Sequence, residues 1–508
     1  MLNLTGMVVP SLIALVAIPM CVRAYGEEQF GLLSLGWTFI VAFAYLDLGL
    51  GVSTTKYTAE VLRQNEVQMV PKIIWSSLGV QFIAGILFAS IVVTAAPLVA
   101  ERIIAAPRVL EDEAIAVVRY TGLSIPFITM SAALRSVLEA SNRFNITNAI
   151  KIPSSSLLFL FPGLGALTGL SVSSVVLLLA ISRVGTAVTL FFFTAKLYPD
   201  ILRNISFEFS QARTLLKFGG WVSISTLLNP VIHHGEKLLI PSLLTVGALS
   251  YYSPPLDVVA RIGVIPFSMA IALLPKFSYL GIEEMQGHRE HMLTKPIKYL
   301  LLIMTPIAAF LIFFAHEIIS VWLGSAFIDT SGDLLALFAL AYFFNAFAYV
   351  AFSAIQGLGF PELKAFLDLV LAPVFLVGCW FALSGFGLAG VAMIKAIVLA
   401  LDAICLFWIL KTILRIPART LFPSEVRLLG ILSLLVVFGG MAAHVFIVSV
   451  ALRLVLFGCA LAVLGIVFVR VASSKEELLS IREAFADIRP VAHGEQLRVG
   501  EGDGSGRS

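Results

Sequence analysis

Twelve ionisable residues stand inside long apolar runs of this chain: Asp47, Arg119, Arg135, Arg183, Glu236, Lys237, Asp257, Arg261, Glu317, Asp368, Lys395 and Asp402. At the centre of a bilayer each costs about 2.5–3.5 kcal/mol on insertion scales, so such groups face a bundle interior, a partner or a water-filled cavity. Arg183 and Lys395 have no acid at i±3 or i±4 and lie too deep to snorkel easily, so a cavity role is expected for both. Asp257 precedes Arg261 by four residues, the favourable order for a helical ion pair, so mutual neutralisation and a cavity role both stay open. Arg119 and Arg135 sit near opposite ends of one span, where long side chains reach water. Asp402 shares a face with Lys395 at i+7. In VAFAYLDLGLGVSTT (41–55), Asp47 is followed by Gly49 and Gly51, which permit close helix approach and a bend; it is either a hydrogen-bonded anchor or part of a cavity. His233 and His234 read as packing and hydrogen bonding. His288 and His291 are two ligands at i,i+3 in a loop, a poor metal site. No catalytic residue and no metal is expected.

These charges need a frame to hold them. The 508-residue chain is 59% apolar and 13% charged, about half the charge of a soluble protein, and its apolar runs recur at roughly the 20 residues that cross a bilayer. Segments of about ten residues alternating in polarity, the mark of a membrane β-barrel, are absent. The fold class is therefore all-α and polytopic. Pro, Gly and charge clusters delimit about fourteen spans: 4–22, 31–55, 73–97, 114–140, 148–169, 172–196, 218–242, 248–276, 297–322, 332–356, 365–383, 387–412, 426–448 and 452–471. Roughly eighteen Lys and Arg, Lys151 and Lys364 among them, fall in loops after even-numbered spans against four, Arg453 among them, after odd-numbered ones, which places both termini in the cytoplasm. The net charge of +3 is uninformative beside that bias, and nothing points to nucleic acid. The outer loops are too short for a soluble domain. The first run, 4–22, lacks a basic n-region and cleavage site and reads as a retained helix. Cys21, Cys379, Cys405 and Cys459 lie in apolar runs without C-x-x-C spacing and read as buried free thiols. Residues 475–488 form one amphipathic stretch before a polar, Gly-rich end, expected to be a short cytoplasmic helix and disorder.

A weak internal repeat organises the spans. LEASNRFNITNA (138–149) has a counterpart in IQGLGFPELKA (355–365), and LLS (32–34) in ALS (248–250), all at an offset of 216 or 217. The offset covers six spans, an even number, so the halves are parallel repeats about the membrane normal. The expected organisation is an N-terminal six-helix lobe (1–197), a basic interfacial linker (198–217), a second six-helix lobe (218–415), two added helices (416–471) and the tail (472–508). One central polar cavity between the lobes is expected. Prolines concentrate in spans 1, 7 and 8; interrupted helices at membrane depth are tolerated beside a cavity, so these spans are the candidate gates.

The stretch PMCVRAYGEEQFGLLSLGWTFIVAFAYLDLGLGVSTTKYTAE (19–60), through Pro19, Arg23, Gly26, Phe30-Gly31 and LDLGL (46–50), closely resembles the start of bacterial polysaccharide transporters. These are the Wzx-type oligosaccharide flippases of the multidrug/oligosaccharidyl-lipid/polysaccharide (MOP) exporter superfamily. LEASNRF (138–144) and YYSPPLDVVARIGVIPFSMAIALLPKFS (251–278) also look like family segments. Many relatives have Asp before Arg or Lys in span 7 where this chain has Glu236-Lys237, which keeps the signs but changes the reach. The resemblance implies a MATE-like, V-shaped pair of lobes in the inner membrane, moving an undecaprenyl-diphosphate-linked oligosaccharide outward for O-antigen, exopolysaccharide or capsule synthesis. Membrane lipids, a polysaccharide polymerase and glycosyltransferases are the implied partners. A diphosphate needs cations to enter an apolar space, and Arg183, Lys237, Arg261 and Lys395 are the candidates, with Asp47, Asp257 and Glu236 completing the cavity. No cofactor is expected, no phosphate-binding P-loop occurs, and coupling to Na+ or H+ stays open. The alternatives are an ion-coupled multidrug or peptidoglycan-precursor exporter of the same superfamily and, more remotely, a membrane-embedded glycan polymerase.

Overall fold

A computed structural model describes residues 2–45, 49–279, 293–415 and 422–472. Asp47, His288, His291 and the tail with its amphipathic stretch lie outside the described residues.

Every regular element among the described residues is a helix. In chain order they are α1 (Leu2–Phe43), α2 (Leu50–Arg63), α3 (Val70–Leu98), α4 (Glu111–Ala140), α5 (Phe144–Thr168), α6 (Val172–Leu197), α7 (Asp200–Arg203), α8 (Phe209–His234) and α9 (Glu236–Leu243). They continue with α10 (Ala248–Ile262), α11 (Val264–Tyr279), α12 (Lys295–Phe313), α13 (Ala315–Trp322), α14 (Ile328–Gly357), α15 (Pro361–Leu414), α16 (Ser424–Phe446) and α17 (Val450–Val467).

Two glycines turn the chain inside long helices. A straight helix of 54 residues would run to about 80 Å at about 1.5 Å per residue, far beyond a hydrocarbon core of about 30 Å. Gly387 (φ 58°, ψ −144°) breaks α15, and Gly26 (φ 72°, ψ −177°) breaks α1; both conformations are reached at little cost only by glycine. Both kinks fall where the sequence ends one apolar run and begins the next. Eleven described helices are long and apolar enough to cross a membrane, two of them carrying these kinks. The chain is thus a polytopic helical membrane protein; that count does not establish the fourteen spans.

Packing follows the sequence order in two groups. The first group joins α1 to α4 and α5, and α4 to α2, α3 and α6. In the second, α14 packs against α10, α11, α12, α13 and α15, while α8 and α9 lie on α15 and α16 lies on α12. The groups meet where α1 crosses α10 and where α2 and α3 cross α8. The segment between them docks on α3: Lys72 pairs with Glu208 at 2.6 Å, Trp75 Nε1 donates to the Ile201 carbonyl at 2.9 Å, and Phe207 covers Gly79. Two expectations change here. Cys459 is exposed and Cys405 half-buried, and Arg453, read as an outer-loop charge, is buried with its guanidinium on both oxygens of Glu317.

Candidate functional site

The interrupted helices sit where the charges are. Pro230 precedes the break at Gly235 between α8 and α9, and Pro254, Pro255 and Pro266 flank the break at Gly263 between α10 and α11. Glu236 and Lys237 follow the first break and Arg261 precedes the second. These helices face α1, α5 and α6 across a cavity of about 540 Å³. Its charged lining among the described residues is Lys151, Arg183, Lys237 and Arg261 against the single carboxylate of Asp257. Ser11, Trp37, Thr38, Tyr45, Ser155, Phe159 and His234 supply the remaining polar and aromatic wall. A smaller space of about 160 Å³ adjoins it, sharing Lys151, Ser155 and Arg183 and adding Arg135, Ser154 and Thr186.

Arg183, Lys237, Asp257 and Arg261 therefore meet in one space. Lys237 Nζ lies 3.1 Å from the Asp257 carboxylate, so the acid paired by spacing with Arg261 is engaged by a different helix. Arg261 instead reaches across the cavity: its guanidinium stacks 4.5 Å from the Phe159 ring and sits 3.4 Å from Ser11 Oγ. Trp37 fixes that ring from α1, 5.3 Å away, with its indole N–H on the Leu158 carbonyl at 2.9 Å. Arg183 donates to Ser154 Oγ at 3.1 Å. The Nε atoms of Arg183 and Arg261 are buried without a hydrogen-bond partner, and neither residue forms an ion pair among the described residues. Buried donors are normally satisfied; two open ones beside a cationic cavity suit an anionic guest.

Lys395 and Glu236 lie elsewhere. Lys395 Nζ is 2.5 Å from Glu236 Oε1 and 2.8 Å from the His233 carbonyl, over the Phe375 ring. Both side chains are essentially without exposure, at 1% and 0%, and neither lines the cavity. Asp402 does not pair with Lys395: Lys364, read as a loop charge, contacts Asp402 at 2.7 Å and Asp368 at 2.8 Å. Glu317 is held by Arg453. Arg119 is exposed, as its position near a helix end implied, and Arg135 lies partly exposed beside Glu139 at 3.9 Å.

One end of the inter-group contact is shut. Ser34 Oγ donates to Ser253 Oγ at 2.7 Å, Tyr251 donates to the Glu27 carboxylate, and Trp322 Nε1 donates to the Leu15 carbonyl at 2.7 Å. A Cβ on Gly31 would stand 2.0 Å from the Val246 carbonyl oxygen, so this approach requires glycine. In a background lacking the four native cysteines, the pair Ser34→Cys and Ser253→Cys is expected to form a disulfide under oxidation that a reductant reverses, read as a mobility shift on a non-reducing gel. Failure to cross-link would show that the two positions do not meet.

The family described as "Polysaccharide biosynthesis protein" matches residues 22–332, more than half of the chain. The chain belongs to that family. It is 24% identical over 408 residues, 80% of its own length and 96% of the relative's, to a Shigella flexneri protein named as an O-antigen transporter. Its fold is similar to that of an inward-facing multidrug-resistance MATE transporter of the MOP superfamily, with TM-score 0.66, 17% identity, and 81% and 98% of the two chains covered. It is equally similar to the lipid II flippase MurJ in an inward closed conformation, with TM-score 0.67, 14% identity, and 92% and 98% covered. The fold is MATE-like, as the resemblance implied.

Lys151 was legible yet missed. It reads as a loop cation, but Lys151, Ser154, Ser155, Leu158 and Phe159 recur at i, i+3, i+4, i+7 and i+8, one face of a helix, and four of them line the large cavity.

Proposed function

We propose that this family member is a transporter, not an enzyme, that carries a polyprenyl-diphosphate-linked oligosaccharide across the inner membrane by alternating access through the cationic cavity. The observation that carries this reading is the lining of four cations and one carboxylate among the described residues. In a water-poor space such cations form strong charge-assisted bonds to phosphate oxygens. A polyprenyl tail need not enter the cavity; it stays in the bilayer while the head group crosses. The Lys and Arg bias of the loops supports cytoplasmic termini, which makes the shut end the outer one. Outward movement of negative charge is then favoured by the membrane potential, about 2.3 kcal/mol per charge per 100 mV. Glycosyltransferases would supply the substrate and a polysaccharide polymerase would take it up. Arg183, Lys237 and Arg261 are the substrate-binding cations of this proposal, with Asp257 holding Lys237; Lys395 and Glu236 support the wall from behind. The same excess of cations disfavours export of cationic drugs.

Deleting the gene is expected to remove surface glycan and to accumulate lipid-linked oligosaccharide in the inner membrane, both reversed by the intact protein. Unchanged surface glycan together with a new drug sensitivity would overturn the proposal.

A further inference from the structure

Away from the cavity, three helices converge on one carboxylate. His316 lies in α13, Asp333 near the start of α14 and His444 near the end of α16. Each histidine places Nε2 at 3.1 Å from Asp333 Oδ1, and the ligand atoms of all three residues lie within 4.8 Å of one another. The imidazole rings are 4.2 Å apart between centroids. We propose that His316, Asp333 and His444 bind a divalent transition metal of zinc-like preference, which staples α13, α14 and α16 together.

The donor set is two imidazoles and a carboxylate, which suits zinc and its neighbours rather than calcium or magnesium, whose ligands are oxygen. Around a tetrahedral zinc with bonds of about 2.0–2.1 Å, ligand atoms stand about 3.3 Å apart, close to the two contacts observed. The site is also fitted to its rings: a Cβ at Gly332 would lie 2.1 Å from His316 Cδ2, so only glycine admits the imidazole beside Asp333. Exposure is graded, His444 being buried, His316 half-buried and Asp333 open. That leaves a water-facing position for a fourth ligand and a route for the ion. The placement matters for the shut end, because Ser331, two residues before Asp333, donates to the Tyr251 carbonyl at 2.9 Å, and Tyr251 holds Glu27 of α1. A metal fixing the first turns of α14 would steady that contact. The inference does not depend on what the cavity carries.

The test uses the full chain purified in detergent without a polyhistidine tag and titrated with Zn2+ and Co2+. Saturable binding of one ion per chain is expected, with a melting temperature that rises with metal concentration and the visible spectrum of tetrahedral Co2+. His316→Gln, His444→Gln and Asp333→Asn should each weaken binding about a hundredfold or more, beyond the roughly 10–100-fold typical of outer-sphere partners. His316→Cys should keep the ion and add a sulfur-to-cobalt charge-transfer band, a gain that no misfolded protein would give. Absence of saturable binding to the native chain would overturn the proposal, as would unchanged affinity in the variants, which would assign the ion to other residues such as His288 and His291.

Discussion

Arg183→Ala is expected to abolish surface-glycan export while leaving the amount of protein in the membrane unchanged. The expectation rests on what the side chain touches. Among the described residues it hydrogen-bonds Ser154 Oγ and its Nε finds no partner, and it lines both the main cavity and the adjoining smaller space. Among the described residues, truncation therefore leaves no buried carboxylate uncompensated, which is the usual reason that deleting a buried charge destabilises a fold. What is lost is the anchor for an anion. A hydrogen bond to a charged group contributes about 1.5–3 kcal/mol, and a bidentate guanidinium–phosphate contact holds two, so occupancy by the substrate should fall at least tenfold to a hundredfold. Arg183→Lys keeps the charge but not the planar fork, and should export at an intermediate level. Immunoblotting of membranes, surface-glycan staining and extraction of lipid-linked intermediates separate the outcomes. Normal export by the alanine variant would remove Arg183 from the substrate path; a loss of protein would mark it as structural.

The sequence revealed which residues are costly but not what they are costly for. Depth in an apolar run identified Arg183, Lys237, Asp257 and Arg261, and these four share a cavity. Partner choice was hidden because it is tertiary. Spacing along one helix favoured Asp257 with Arg261, yet Lys237 from α9 takes the acid and frees Arg261 to reach Phe159 on α5. Spacing left Asp402 open between Lys395 on its own face and a partner from elsewhere, and Lys364 bridges Asp402 and Asp368. Loop assignment misled in the same way. Lys151, Lys364 and Arg453 were counted as surface cations, but the helices extend past the apolar runs and carry them inward. The kinks were easier to see: glycine and a lapse in hydropathy coincide at Gly26 and Gly387, and a break needs only local chemistry. The His316–Asp333–His444 cluster was invisible, since its members are 17 and 111 residues apart and no single one looks unusual.

Lys395 and Glu236 give the second large effect, of the opposite kind. Lys395→Met is expected to deplete folded protein, because Glu236 is then left at 0% exposure without its counter-charge, the Tyr252 hydroxyl, 3.3 Å away, being its remaining hydrogen-bond partner among the described residues. Breaking a buried pair on one side typically costs about 3–5 kcal/mol, a large share of the roughly 5–15 kcal/mol that stabilises a folded domain. The double variant Lys395→Met, Glu236→Gln removes both charges and keeps an acceptor for Tyr252. Replacing a buried ion pair by uncharged groups of similar volume is often neutral or stabilising, so abundance and melting temperature should return most of the way to native. Fluorescence-detected size exclusion of detergent extracts, with a melting curve on each variant, measures this directly. If Lys395 acts on the substrate instead, the single variant should be abundant and inactive and the second substitution should restore nothing. A well-folded, export-competent double variant would fix its role as a counter-charge behind the cavity wall, leaving the passage to Arg183, Arg261 and their neighbours.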